Sequence, residues 1–178
     1  RVSQFSKLLA IKMGLTEKEA VEISLGGYLH DLGKVAIPDG ILLKQGKLSE
    51  AEYSVIKTHP LIGKKLINAH PLSEMVCKPI VEHHERLDGK GYPHGLHEDE
   101  ISFSAKIVGV VDMLDALTSA RPYRREMDLD KAMQIMETAA GTRFNDKMIG
   151  HICELGRDGD LSHIIGHSAE EIPLVICP

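Results

Sequence analysis

Apolar residues recur at helical spacing along almost the whole chain. Val2, Phe5, Leu8 and Leu9 stand three and four apart and lead into Lys12-Met13, which predicts a first helix. Thr16, followed three residues later by Glu19, is a capping box that opens a second helix through Ala20, Val21, Ile23 and Leu25 to about Leu29. Glycine and proline punctuate Gly33 to Gly46, which read as a loop. Ser49 and Glu52 form another capping box; its short helix stops near Thr58, because Pro60 disfavours helical geometry in the residue before it. Pro60 suits the first turn of the next helix, continued by Leu61, Ile62, Lys65, Leu66 and Ile67. Residues 73–86 predict a helix with Met75, Val76, Ile80 and Val81 apolar. Residues 87–100, with Asp88-Gly89, Gly91, Pro93 and Gly95, predict a loop crowded with His, Asp and Glu. Residues 102–120 read as helix. Ile107 to Val111 alone would pass for a buried strand, but the spacing continues through Met113, Leu114 and Leu117. Asp128 and Asn145 cap two further helices. Strand signals are nearly absent, so the fold class is all-α.

Composition narrows the chemistry. The 178 residues are the size of one ordinary domain, and 43% hydrophobic with 26% charged residues is a globular balance. No apolar run approaches the ~18 residues a membrane helix needs. The net charge of −5, from 21 basic and 26 acidic residues, excludes a generic nucleic-acid coat; an anionic partner must be met by a few placed cations or by metal. With 4% aromatics and no Trp, a base-stacking platform for a nucleic-acid polymer is not expected. Cys77, Cys153 and Cys177 are an odd, widely spaced set, which points away from disulfides and toward a reducing cytoplasm; the first residues lack a signal-peptide pattern.

The informative excess is histidine, ten in all, several beside carboxylates. Four elements stand out: His30-Asp31 at a helix end, His59 before a proline, His83-His84-Glu85 late in a helix, and Asp112 within an apolar helix. Asp112 sits among Ile107, Val108, Val110, Val111, Met113 and Leu114, where an unpartnered carboxylate is costly, so something positive must face it. A structural salt bridge and a divalent metal both answer that need. Mixed imidazole and carboxylate donors suit Fe, Mn, Co, Ni or Zn, and no Cys pair supplies a thiolate zinc site. Consecutive residues on a helix diverge by about 100°, so His83 and His84 are expected to serve different ions. Two ions in one pocket are the usual arrangement for hydrolysing phosphate esters.

The segment from Gly27 to Pro38, with His30-Asp31 and Lys34, resembles the HD-domain phosphohydrolase motif. His83-His84-Glu85 through Gly91-Tyr92-Pro93 and Asp112 through Arg121-Pro122-Tyr123-Arg124 are similar to the HD-GYP family, as is Ala140 to Asn145. The resemblance spans residues 1 to about 155, expected as the catalytic domain, with 156–178 an extension or the start of a further segment. It implies an α-helical bundle holding two or three divalent metals, Fe or Mn, and cytoplasmic hydrolysis of cyclic di-GMP to linear pGpG, with GMP following. Carried over residue by residue, the metal ligands are His30, Asp31, His59, His83, His84 and Asp112. Asp31 bridges, Lys34 serves the scissile phosphate, and Tyr92, Arg121 and Arg124 bind substrate. A further His, and in three-metal members a Glu, is expected upstream of Arg1, as are a sensory or receiver domain and GGDEF-domain partners at the GYP loop. The alternatives are another cyclic dinucleotide, such as cyclic GMP-AMP, or a binding and docking module without turnover. At the far end, His163 and His167 have ligand spacing, but Gly166 weakens the helix between them.

Overall fold

The computed structural model describes residues 1–119 and 126–166. Arg121, Arg124, His167 and Cys177 lie outside the described residues. Among the described residues ten α-helices follow one another: α1 Val2–Lys12, α2 Glu17–Leu29, α3 Asp39–Leu42, α4 Glu50–Ile56, α5 His59–Ile67, α6 Ser73–Glu82, α7 Phe103–Thr118, α8 Leu129–Glu137, α9 Asp146–Arg157 and α10 Ser162–Gly166. No strand forms among the described residues. Both capping boxes are made as read: Thr16 accepts from the Glu19 amide while Glu19 reaches back, and Ser49 and Glu52 do the same. Asp128, Asn145 and Ser102 accept from first-turn amides of α8, α9 and α7. Parts of the chain differ from the sequence reading. Gly33 to Gly46 contains a 3₁₀ turn over Leu32–Ala36 and the four-residue α3. The Gly166 end is helical rather than broken.

The central element is α7. Ile107, Val108, Val110, Val111, Leu114 and Leu117 leave it almost no wet face, which marks a helix surrounded by others. Phe5 and Leu9 of α1, Met136 of α8 and Met148 and Ile152 of α9 pack around it in one core. Leu161 and Ile164 belong to that core, so the packed unit continues past Arg157. A smaller cluster of Ile67, Val76 and Ile80, with Leu25 and Leu29 against it, ties α5 and α6 to α2. α2 and α6 thereby pack against α7, and α5 packs against α6 and the turn that follows α2.

Candidate metal centre

Four segments deliver six groups to one place. His30 follows the last turn of α2 and Asp31 precedes the 3₁₀ turn. His59 opens α5, where Pro60 needs no amide partner. The approach of these two segments requires Gly33: a Cβ there would overlap the His59 carbonyl. Asp112 comes from α7. The expected helix over 73–86 stops at Glu82. Its last carbonyls are claimed by a side chain, since His83 Nδ1 lies 3.0 Å from the oxygens of both Pro79 and Ile80. The expected divergence of His83 and His84 required helix through both. With the helix ended, their rings lie 4.0 Å apart, and His84 turns to the same cluster.

The distances are short. Asp31 Oδ1 is 3.3 Å from His59 Nε2 and 4.0 Å from His83 Nε2, while Asp31 Oδ2 is 3.3 Å from His30 Nε2. Asp112 Oδ1 is 3.6 Å from His30 Nε2 and Asp112 Oδ2 4.0 Å from His84 Nδ1. Donor atoms of Asp31, His59, His83 and His84 all lie within 4.8 Å of one another. Asp31 Oδ1 is buried and accepts no hydrogen bond.

The tautomers follow from the backbone. His30 Nδ1 is 2.7 Å from the Gly27 oxygen and His59 Nδ1 2.8 Å from the Ile56 oxygen; His83 faces two carbonyls as described. A carbonyl only accepts, so each Nδ1 carries its proton. In the neutral rings of His59 and His83, Nε2 is then a bare lone pair, and these two atoms face each other at 3.4 Å beside the orphaned Asp31 oxygen. Three electron-rich atoms converging without a proton fit a cation. Imidazoles fixed through the distal nitrogen are the usual support of a metal ligand. Burial keeps His59 and His83 below the ordinary imidazole value and lowers His84 to about 4, so all three are neutral donors near pH 7. At His30, burial also pulls downward, but Asp112 and Asp31 outweigh it and raise the ring to about 10. Burial would raise both carboxyls. His30, joined at Asp31 by Lys34, instead holds Asp31 well below the carboxylate range and Asp112 at about 2. In the metal-free protein an imidazolium thus supplies the positive charge that Asp112 needs, and a bound ion would take over that role on displacing the Nε2 proton of His30. The donors are nitrogen and oxygen throughout, a set that suits first-row divalent ions.

Residues 1–148 match the HD-domain family. The chain belongs to that family. It is 41% identical over 151 residues to the cyclic di-GMP phosphodiesterase response regulator RpfG of Xanthomonas campestris, covering 84% of this chain and 40% of the relative. It is 36% identical over 137 residues to a 3′3′-cGAMP-specific phosphodiesterase of Vibrio cholerae, covering 77% of this chain and 30% of that protein. An HD-GYP-type protein of Bdellovibrio bacteriovorus has the same fold, with a TM-score of 0.73 at 24% identity over 88% of this chain and 50% of that one. The chain therefore spans half or less of each of these three proteins.

Around the HD centre, Lys34 Nζ is 2.5 Å from Asp31 Oδ2 and half-exposed. Tyr92 stacks on His84 at 4.6 Å, and Lys57 lies over the rings of both Tyr92 and Tyr53. Burial, reinforced by the carboxylates of Asp112 and Asp31, pushes the Tyr92 phenol above its ordinary value, so it stays protonated. Sequence reasoning placed Glu85 in the His83-His84-Glu85 element but gave it no role of its own. This carboxylate is 4% exposed. It accepts from the amides of His94 (2.7 Å) and Leu96 (3.0 Å), tying down the loop that carries Tyr92. The loop returns so closely that a Cβ on Gly91 would overlap the backbone of Glu85. Tyr53 was missed; its one signal is an aromatic residue on a short helix, and it is 45% exposed. Among the described residues no helix is long and apolar enough to cross a membrane.

Proposed function

We propose that this domain is a metal-dependent phosphodiesterase of cyclic dinucleotides, with cyclic di-GMP as substrate and linear pGpG as first product. The observation that carries the reading is the pair of Nε2 lone pairs of His59 and His83 facing each other across the unpartnered Asp31 oxygen. His30, Asp31, His59, His83, His84 and Asp112 would hold two or three divalent ions, Fe or Mn, with Asp31 shared between two of them. Such ions supply Lewis acidity toward a phosphoryl oxygen and acidify water. Lys34 brings a positive charge beside Asp31, where it neutralises charge growing on the non-bridging phosphate oxygens. Tyr92 offers a ring face and a protonated hydroxyl at the rim. Arg121 and Arg124 are assigned to substrate grip from their place in the motif.

The identity to RpfG supports cyclic di-GMP, and the Vibrio relative supports 3′3′-cGAMP as the second reading. The test is to load the chain with Fe(II) or Mn(II), measure metal per chain, and follow both dinucleotides by chromatography. Metal-dependent turnover of cyclic di-GMP in preference to 3′3′-cGAMP is expected. Asp31→Ala should lose metal and turnover together, whereas Lys34→Ala should keep its metal and turn over slowly. A metal-loaded chain that hydrolyses neither dinucleotide defeats the proposal.

A further inference from the structure

Two chambers flank the cluster and share Tyr53 as a wall. The larger, about 740 Å³, meets the cluster at Lys34 and is walled by Ile41, Leu42, Leu48 and Ile56; its Lys44 is already paired with Glu52 at 2.7 Å. The smaller, about 320 Å³, begins at His83, His84 and Asp112 and runs out to Arg86, Lys90 and Arg143. Three cations on one small chamber run against the chain's net charge of −5.

Their charge is poorly spent within the protein. Arg86 gives one Nη to Asp88 at 2.6 Å, but its Nε is buried without a hydrogen-bond partner. Lys90 and Arg143 form no ion pair among the described residues; the Arg143 guanidinium lies 5.5 Å from the Phe144 ring centre. Glu85, which lines the same chamber, has both oxygens committed to loop amides. The walls are fastened together by main chain, because the amides of Leu87 and Asp88 donate to the carbonyls of Arg143 and Thr142 at 3.2 and 3.1 Å. The cations therefore sit on a braced frame, apart from Lys34.

A cyclic dinucleotide carries two phosphodiesters, and the cluster can engage only one. The geometry points to the smaller chamber as the subsite for the second phosphate, gripped by Arg143 and Lys90 with Arg86 behind them. This assignment rests on the phosphodiesterase reading and makes the domain select for ligands with two phosphates. Arg143 is suited by its planar fork of donors; the larger chamber offers no arginine, only the single point charges of Lys34 and Lys47 beside the paired Lys44 among apolar walls.

The test uses direct binding as well as rate. Fluorescently labelled cyclic di-GMP and labelled GMP are titrated by polarisation into the metal-free chain, unaltered and as Arg143→Ala, Arg143→Lys and Lys90→Ala. Arg143→Ala should weaken the cyclic dinucleotide by about 10- to 100-fold and weaken GMP at least ten-fold less, with Arg143→Lys recovering part of the loss. Lys90→Ala should shift in the same sense by less, because its ammonium is a single flexible point charge. In the metal-loaded chain, Arg143→Ala should raise KM for cyclic di-GMP far more than it slows bis(p-nitrophenyl) phosphate, which has one phosphate. The side chain of Arg143 is exposed and only its backbone braces the loop, and circular dichroism checks that each variant is folded. Equal weakening of both ligands, or none, overturns the subsite while leaving the phosphodiesterase reading in place. An unaltered, metal-loaded chain that neither binds nor hydrolyses a cyclic dinucleotide removes both.

Discussion

Glu85→Gln separates two roles that its motif leaves mixed, metal ligand and loop anchor. The native carboxylate accepts from two amides, His94 at 2.7 Å and Leu96 at 3.0 Å, while 4% exposed. Glutamine keeps one acceptor oxygen and places an NH₂ against the other amide. One bond is lost and a buried N–H is left unpaired, at about 1–3 kcal/mol; the surviving bond loses its charge, at about 1 kcal/mol more. The sum is about 2–4 kcal/mol. With a urea slope of about 2 kcal/mol/M, the unfolding midpoint should fall by roughly 1–2 M. Urea titration by circular dichroism measures this, and limited proteolysis should show new cleavage within residues 86–97. Metal content should be nearly retained. An unchanged midpoint accompanied by lost metal would refute the anchor and make Glu85 a ligand.

Gly33→Ala should displace His59 and lower both thermal stability, by about 1–3 kcal/mol, and metal bound per chain, measured by elemental analysis. Thr16→Ala removes a cap remote from the cluster; it should cost about 1 kcal/mol in urea unfolding and leave metal content alone. Glu52 is held down to about 2 by Lys44 and by the Ser49 amide. An unfolded Glu titrates near 4.5, so its contribution is complete above that pH and is lost as pH falls through about 2. Glu52→Gln should therefore flatten the acid limb of the stability profile, as read by thermal midpoints in a pH series.

The helix order was legible because its signals are local. Thr16 with Glu19 and Ser49 with Glu52 each state a helix start within four residues, and Ile107 to Leu117 carries its period with it. Candidate ligands were legible as residue types, and the resemblance supplied their grouping. What escaped depends on contacts between distant residues or on competition for one acceptor. At the stop of α6 the His83 ring takes the Ile80 carbonyl that the next helical amide would use, and a residue pattern does not show which competitor wins. Glu85 looks like part of a ligand triplet until the chain comes back ten residues later to present two amides. The 3₁₀ turn and α3 are too short to show a period.

The six groups of the cluster stand on segments that are neighbours only in the folded chain: the end of α2, the start of α5, the end of α6 and the middle of α7. No one segment carries the set, so an unfolded chain offers an ion at most scattered weak donors. By mass action, an occupant of the cluster therefore acts on the docking of all four helices at once. At a free concentration one hundred times its dissociation constant it would add about 2.7 kcal/mol to global stability. The melting temperature then becomes a gauge of metal supply, and a cell short of that metal would hold this domain not merely idle but closer to unfolding and to its proteases.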